Sequence, residues 1–167
     1  MKKIALIVAA TFLIAAMNFA SVTAAQQIFT AANNSARWQK QADTSKYPAE
    51  VLRLVNVERA RVGLQPLRFA DDLAASALIR AREIPIKFSH TRPNGSKCFT
   101  AMPQIGHILG ENLAGGQRTP KQVVEAWMNS ETHRANILNK SFRELGVVYY
   151  YQSNSKYKHY WVQHFRG

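Results

Sequence analysis

Three side chains here are of types that do chemistry together: the imidazole of His90, the carboxylate of Glu111 and the imidazole of His133. Glu111 lies in Gly110-Glu111-Asn112-Leu113-Ala114-Gly115-Gly116, and His133 follows 22 residues later in Ser130-Glu131-Thr132-His133-Arg134-Ala135-Asn136. Neutral imidazole nitrogen and carboxylate oxygen suit a divalent cation such as zinc, and three protein ligands leave a position open for water. The same trio works without a metal if Glu111 holds an imidazole that serves as general base. The chain has no His-Glu-x-x-His run and no serine in a Gly-x-Ser-x-Gly elbow, so neither a zinc-protease helix nor a serine-hydrolase elbow is present. Metal binding and metal-free use of the trio stay open on the residues alone.

The segment between Glu111 and His133 carries clear helix signals. Thr119 caps, Pro120 suits the first turn, and Gln122 completes a Thr-x-x-Gln capping box. Val123, Val124, Trp127 and Met128 recur at three- and four-residue spacing and form a stripe to bury. Trp127 is therefore a core residue rather than a ligand. Ser130 caps a second short helix with Glu131 in its first turn, which sets His133 one turn in, and Asn139 ends the run. On the other side, Gly110 and Gly115-Gly116 bracket Glu111 and Asn112, which reads as a loop with tight turns around the acid. His90 sits at the edge of Thr91-Arg92-Pro93-Asn94-Gly95, whose Asn-Gly favours positive φ.

Upstream, Val51, Leu54, Val55 and Val62 give a first core helix from Pro48, stopped at Gly63, with Asn56 either exposed or hydrogen-bonded across the core. Asp71 or Asp72 caps a second helix that packs through Leu73, Ala74, Ala77, Leu78 and Ala81 and is closed by Pro85. A short helix over Cys98 to Ile105 is interrupted at Pro103. Leu145 to Tyr151 and His159 to Phe165 read as a β-hairpin, whose tyrosines line a groove or pack against helices. His107, His159 and His164 have no evident partner in the sequence.

The ordered pieces Phe88-Ser89-His90, Gly110-Glu111-Asn112, Trp127-Met128-Asn129-Ser130, His133 to Leu138, Gly146-Val147 and Tyr160 to Phe165 resemble a bacterial CAP domain. That superfamily takes in cysteine-rich secretory proteins, insect venom antigen 5 and group-one plant pathogenesis-related proteins. The likeness spans about residues 50 to 166. It implies an α+β fold, a three-layer α-β-α sandwich with a small antiparallel sheet, and a cleft lined by two histidines and two acids. By position these are His90, His133 and Glu111, with Asn112 beside them. The second acid is replaced by Ser130. Glu131 is adjacent, but one step turns a helical side chain by roughly 100°, so its substitution for that acid stays open. The resemblance also implies cation binding in some relatives.

The 167 residues are sized for one domain, and 47% hydrophobic content supplies a core. Lys2 and Lys3, the apolar run Ile4 to Met17 and the small residues Val22 to Ala25 read as a secretory signal peptide over residues 1–25. A polar leader over 26–47 and a CAP domain over 48–167 follow from this reading. The apolar run is short of the ~20 residues a spanning helix needs, and no other stretch is long enough, so the expected location is extracellular or periplasmic. Without Lys2 and Lys3 the formal charge of +12 becomes +10, scattered over residues such as Arg53, Arg59, Arg61, Arg68, Arg80, Arg82, Lys87, Lys156 and Lys158. Such a field attracts polyanions outside the cell, whether anionic cell-envelope polymers, lipid head groups or nucleic acid, or serves solubility alone, and no nucleic-acid motif or basic cluster is present. Cys98 is the only cysteine, which rules out an intrachain disulfide and is expected to be an inert, partly buried thiol.

These features leave three functions in play. One is an exported, non-enzymatic module binding a small ligand or divalent cation. Another is a metal-assisted hydrolase of wall or extracellular polymer, and the last is an adhesion protein held by charge alone.

Overall fold

The computed structural model describes residues 24–35, 44–103 and 108–167. Most of the expected signal peptide, Trp38 and His107 lie outside the described residues. The chain divides into two units, Met1–Asp43 and Thr44–Gly167. In the first, residues 24–35 form helix α1, every residue of which is exposed. Part of the expected polar leader is therefore helical, in line with the helix propensity of its alanines and glutamines.

In the second unit the elements run α2 (Tyr47–Arg61), β1 (Arg68–Phe69), α3 (Asp71–Glu83), a 3-10 turn (Cys98–Ala101), β2 (Leu109–Gly115), α4 (Pro120–Met128), α5 (Glu131–Ile137), β3 (Glu144–Tyr151) and β4 (His159–Arg166). The sheet order is β1-β3-β4-β2. β3 pairs antiparallel with β4 and β4 with β2, while two-residue β1 runs parallel to β3, so the sheet is mixed rather than wholly antiparallel. Val51 and Val55 of α2, Val123, Val124 and Trp127 of α4 and Ile137 of α5 pack against Leu145, Val147, Trp161 and Phe165 on one face. Ala77 and Ala81 of α3 pack against Leu113, Tyr160 and Val162 on the other. This is the three-layer α-β-α sandwich.

Local signals explain most boundaries. Thr119 Oγ1 accepts from Gln122 N, while Gln122 Oε1 accepts from Arg118 N, one residue earlier than a capping box requires. Gly63, at φ 73°, lets the chain leave α2, and Val62 at its end is exposed instead of lying on the apolar stripe. Asn56 is not a free surface amide, because it exchanges hydrogen bonds with the backbone of Leu67 at 3.0 and 2.8 Å. At α3 the N-cap is Ala70, with no side-chain cap; Asp72 instead accepts from Leu73 N and pairs with Arg166. Gly146 is demanded by packing: a Cβ there would lie 2.2 Å from backbone atoms of Leu73 and Ala74, so its lack of a side chain seats α3 on β3.

Two arginines counted as surface charge are core residues, Arg59 being 1% exposed and Arg80 0%. Arg59 donates to the carbonyls of Gln65, Ile137 and Asn139 at 2.8–2.9 Å. A buried guanidinium thus closes the C-terminal end of α5 from α2, where the helix dipole favours a cation.

Candidate functional site

Gly110 to Gly115 is not a loop but the edge strand β2. Its successive side chains point to opposite faces, and this separates the work of Glu111 from that of Asn112. Register places Glu111 opposite His164 and Asn112 opposite Gln163. Glu111 therefore faces α3, and Asn112 faces the layer of α4 and α5.

The Glu111 side chain is 1% exposed and fully engaged. Arg80 Nε donates to Oε2 at 2.9 Å, His164 Nε2 lies 3.1 Å from the same oxygen, and His90 Nδ1 lies 2.8 Å from Oε1. Burial alone would raise this carboxyl, but hydrogen bonds from His164, His90 and Arg80, with the Arg80 charge, hold it well below the usual carboxylate range. An ionised carboxylate only accepts. His90 must then carry its proton on Nδ1, which leaves the lone pair of the neutral ring on Nε2. The His90 side chain is 58% exposed, and Nε2 has no hydrogen-bond partner among the described residues.

Arg80 also fixes the loop that carries His90. It donates to Glu83 at 2.6 Å and to the carbonyl of Ser89, and Glu83 in turn accepts from Arg92 at 2.7 Å. The loop closes through the Thr91–Lys97 bridge, with Gly95 at φ 87° and Cys98 N donating to His90 O at 2.8 Å.

His133 is placed from the opposite layer. Asn112 Nδ2 donates to His133 O at 3.1 Å, and Asn136 Nδ2 donates to Asn112 Oδ1 at 2.8 Å and to Glu111 O at 3.2 Å. Adjacent residues of β2 thereby fasten the two histidine-bearing segments, Glu111 the His90 loop and Asn112 the helix of His133. Ser130 occupies the N-cap position of α5, but its hydroxyl makes no cap bond and lies 2.7 Å from His133 Nδ1. Burial lowers the pKa of His133, and the nearby His90 ring lowers it further. Glu131 is exposed and forms no ion pair among the described residues.

His164, without a visible partner in the sequence, is fully buried between Glu111 and Ser76, whose Oγ lies 2.7 Å from Nδ1. His159 Nδ1 lies 2.7 Å from Tyr149 Oη. Tyr149 packs on Trp161 at 4.7 Å, and Tyr47 of α2 stacks on the same indole at 5.5 Å, so these strand aromatics meet a helix. Arg80 and Ser76 were discernible in principle, since both fall on the helical stripe of Leu73, Ala77 and Ala81.

His90, Cys98 and Glu111 offer ligand atoms within 4.8 Å of one another. Burial, with the charge and hydrogen bond of Glu111, pushes the Cys98 thiol up to about 12, and a thiol binds metal as the thiolate. Glu111 is already claimed by Arg80 and two imidazoles. A cation among these three atoms would displace those partners and face Arg80, so the donor set fits poorly. The exposed Nε2 of His90 suits a cation better.

Burial lowers the pKa of His164 against the pull of Glu111. Below its ordinary value of 6.5 the unfolded chain binds the proton and the folded chain resists it, so stability is lost as pH falls. The same sign holds for His133. Glu111 keeps its contribution above its ordinary 4.5 and loses it only as pH falls toward its depressed folded value. The melting midpoint should therefore already decline between about pH 7 and about pH 5; a flat midpoint there would contradict neutral burial of His164.

The sequence matches the CAP profile, described as the Cysteine-rich secretory protein family, over residues 52–165. It is 38% identical over 150 residues to YkwD of Bacillus subtilis (strain 168), covering 87% of this chain and 56% of that protein. The chain thus spans little more than half the length of this relative. Among solved structures, it resembles an extracellular protein containing a SCP domain from Bacillus anthracis str. Ames, with TM-score 0.63 and 25% identity over 74% of this chain and 41% of that one. NaASP2, crystallised with Zn2+, shares the fold at TM-score 0.55 and 16% identity, over 72% of this chain and 78% of that one.

Proposed function

The chain belongs to the CAP family of cysteine-rich secretory proteins, and from that premise we propose that it is an exported binding module whose cleft takes a divalent cation, zinc being the first candidate, between His90 and His133. The signal-like residues 1–25 and the +10 charge that remains without Lys2 and Lys3 support a place at the cell envelope. No helix among the described residues is long and apolar enough to cross a membrane.

The observation that carries this reading is the tethering of both rings by Nδ1, His90 to Glu111 at 2.8 Å and His133 to Ser130 at 2.7 Å. Metal-bound imidazoles are held through their other nitrogen by a carboxylate, carbonyl or water, the part that Glu111 plays for His90 and that the Ser130 hydroxyl would play for His133. Glu111 is then the residue that orients His90, not a ligand. Asn112 sets the height of α5, and Glu131 stands outside. A bound zinc would supply a Lewis acid and an activated water. A hydrolase would use the same atoms, and the family reading favours binding alone.

Calorimetric titration of zinc into the wild type, His90→Ala and His133→Ala tests this. Each substitution is expected to weaken zinc binding at least about tenfold, roughly 1.4 kcal/mol, with little change in melting midpoint. Equal affinity in all three proteins would remove the cation from the account, and turnover of a wall polymer by the zinc-loaded wild type would favour the hydrolase.

A further inference from the structure

From Glu111 the row of β2 side chains on the α3 face continues through Leu113 to Gly115, about 13 Å at ~3.3 Å per residue. At Gly115 the missing side chain matters, because a Cβ would lie 2.9 Å from the Tyr157 ring. Tyr157 lies on this bare backbone and buttresses Phe88, with ring centroids 5.3 Å apart and planes tilted by 58°. Phe88 stands two residues before His90 and is 45% exposed. Lys156 Nζ sits 5.0 Å from the Tyr157 centroid. Neither Lys156 nor the exposed Lys87 has an acidic partner among the described residues, whereas Glu83 and Glu111 are both paired with arginine.

We propose that Phe88, Tyr157 and Lys156 form a saccharide subsite of the cleft, where an acidic glycan chain lays a sugar ring on Phe88 and an acid group against Lys156. The proposal rests on the reading of the His90 cleft as a ligand site. The C–H face of a pyranose is apolar and matches the negative face of an aromatic ring. Phe88 is partly exposed and packed by Tyr157, and a ring held in place binds with little loss of side-chain entropy. His90, two residues after Phe88, and Lys156, against the Tyr157 ring that holds it, would supply polar contacts and demand acidity.

An extended peptide fits less well. Peptides commonly bind a sheet edge as an added strand, but on β2 the carbonyls of Glu111 and Leu113 already accept from Asn136 Nδ2 and Trp127 Nε1. A nucleic-acid strand stacks successive bases on several aromatic platforms along a basic groove, and of the Phe88 and Tyr157 rings only Phe88 is exposed.

The test compares a hexamer of galacturonate with neutral maltohexaose on the wild type, Phe88→Ala and Lys156→Ala, with a zinc titration on each protein. The acidic hexamer should bind the wild type at least about tenfold more tightly than the neutral one, and each substitution should cost about tenfold while zinc affinity stays unchanged. Absence of hexamer binding, equal binding by all three proteins, or binding of anionic lipid vesicles through Phe88 and Lys156 in place of the hexamer would overturn the subsite. Loss of zinc binding in the wild type with hexamer binding retained would instead sink the cation reading and leave the subsite standing.

Discussion

Arg80→Met should lower the stability of the Thr44–Gly167 unit by about 3–5 kcal/mol, the usual cost of removing one partner of a buried ion pair. The Arg80 and Glu111 side chains are 0% and 1% exposed, so no solvent is at hand to replace the lost guanidinium. With only the His90 and His164 rings left to it, the carboxylate must stay charged in the core without its cation or take up a proton, and either path penalises the folded state. The loss should also slacken the His90 loop, since Arg80 holds the Ser89 carbonyl as well. A double variant, Arg80→Met with Glu111→Leu, should recover part of the stability, because it removes both buried charges together but leaves the buried His164 Nε2 without its acceptor. Urea unfolding of the two variants and wild type measures this. A single variant as stable as wild type would mean that the ion pair is not buried as described.

The other large effect is at Trp127. Its side chain is 1% exposed in the core between α2, α4 and the sheet. Trp127→Ala is expected to cost about 3–5 kcal/mol through lost burial and a residual cavity. The indole has a second role, donating to Leu113 O at 3.1 Å on the open edge of β2. Truncation leaves a buried carbonyl unpaired. Trp127→Phe keeps most of the apolar contact and removes only this bond, so it should fall between wild type and Trp127→Ala in denaturant midpoint. Equal stability of Trp127→Phe and wild type would show that the bond adds little to packing.

How far the sequence alone led depends on whether a side chain's neighbours lie nearby in the chain. Helix α4 was legible because its cap, proline and apolar stripe are all local, and the hairpin of β3 and β4 because Leu145, Val147, Tyr149 and Tyr151 recur at every second position before a polar loop. Strand β2 was not, since glycines flank it and its interior is buried on both faces, which erases the alternation that marks a half-exposed strand. Two-residue β1 is too short to carry a pattern. Gly110 looked like turn chemistry but answers to packing, because a Cβ there would lie 2.8 Å from the Phe142 ring.

At the site, the residue types His90, Glu111 and His133 could be singled out from the chain, but not who holds whom. His164 meets Glu111 only through the pairing of β2 with β4. Arg80 and Arg59 were read as solvent charge because the type of residue outweighed its place on an apolar stripe. Ser130 and Asn112 were taken as cleft residues, and their observed bonds make them supports for His133 and its helix.

The claim on which the rest depends is that ionised Glu111 keeps His90 in the Nδ1–H form with Nε2 open to a ligand. Nitrogen-15 spectra of the imidazoles, recorded on the wild type before and after zinc is added, test it most directly. The account predicts a protonated Nδ1 on His90 before zinc, then a shift of Nε2 in both His90 and His133 with the buried His164 unmoved. A His90 ring protonated only on Nε2, or zinc that leaves the His90 and His133 imidazoles unchanged, would contradict it.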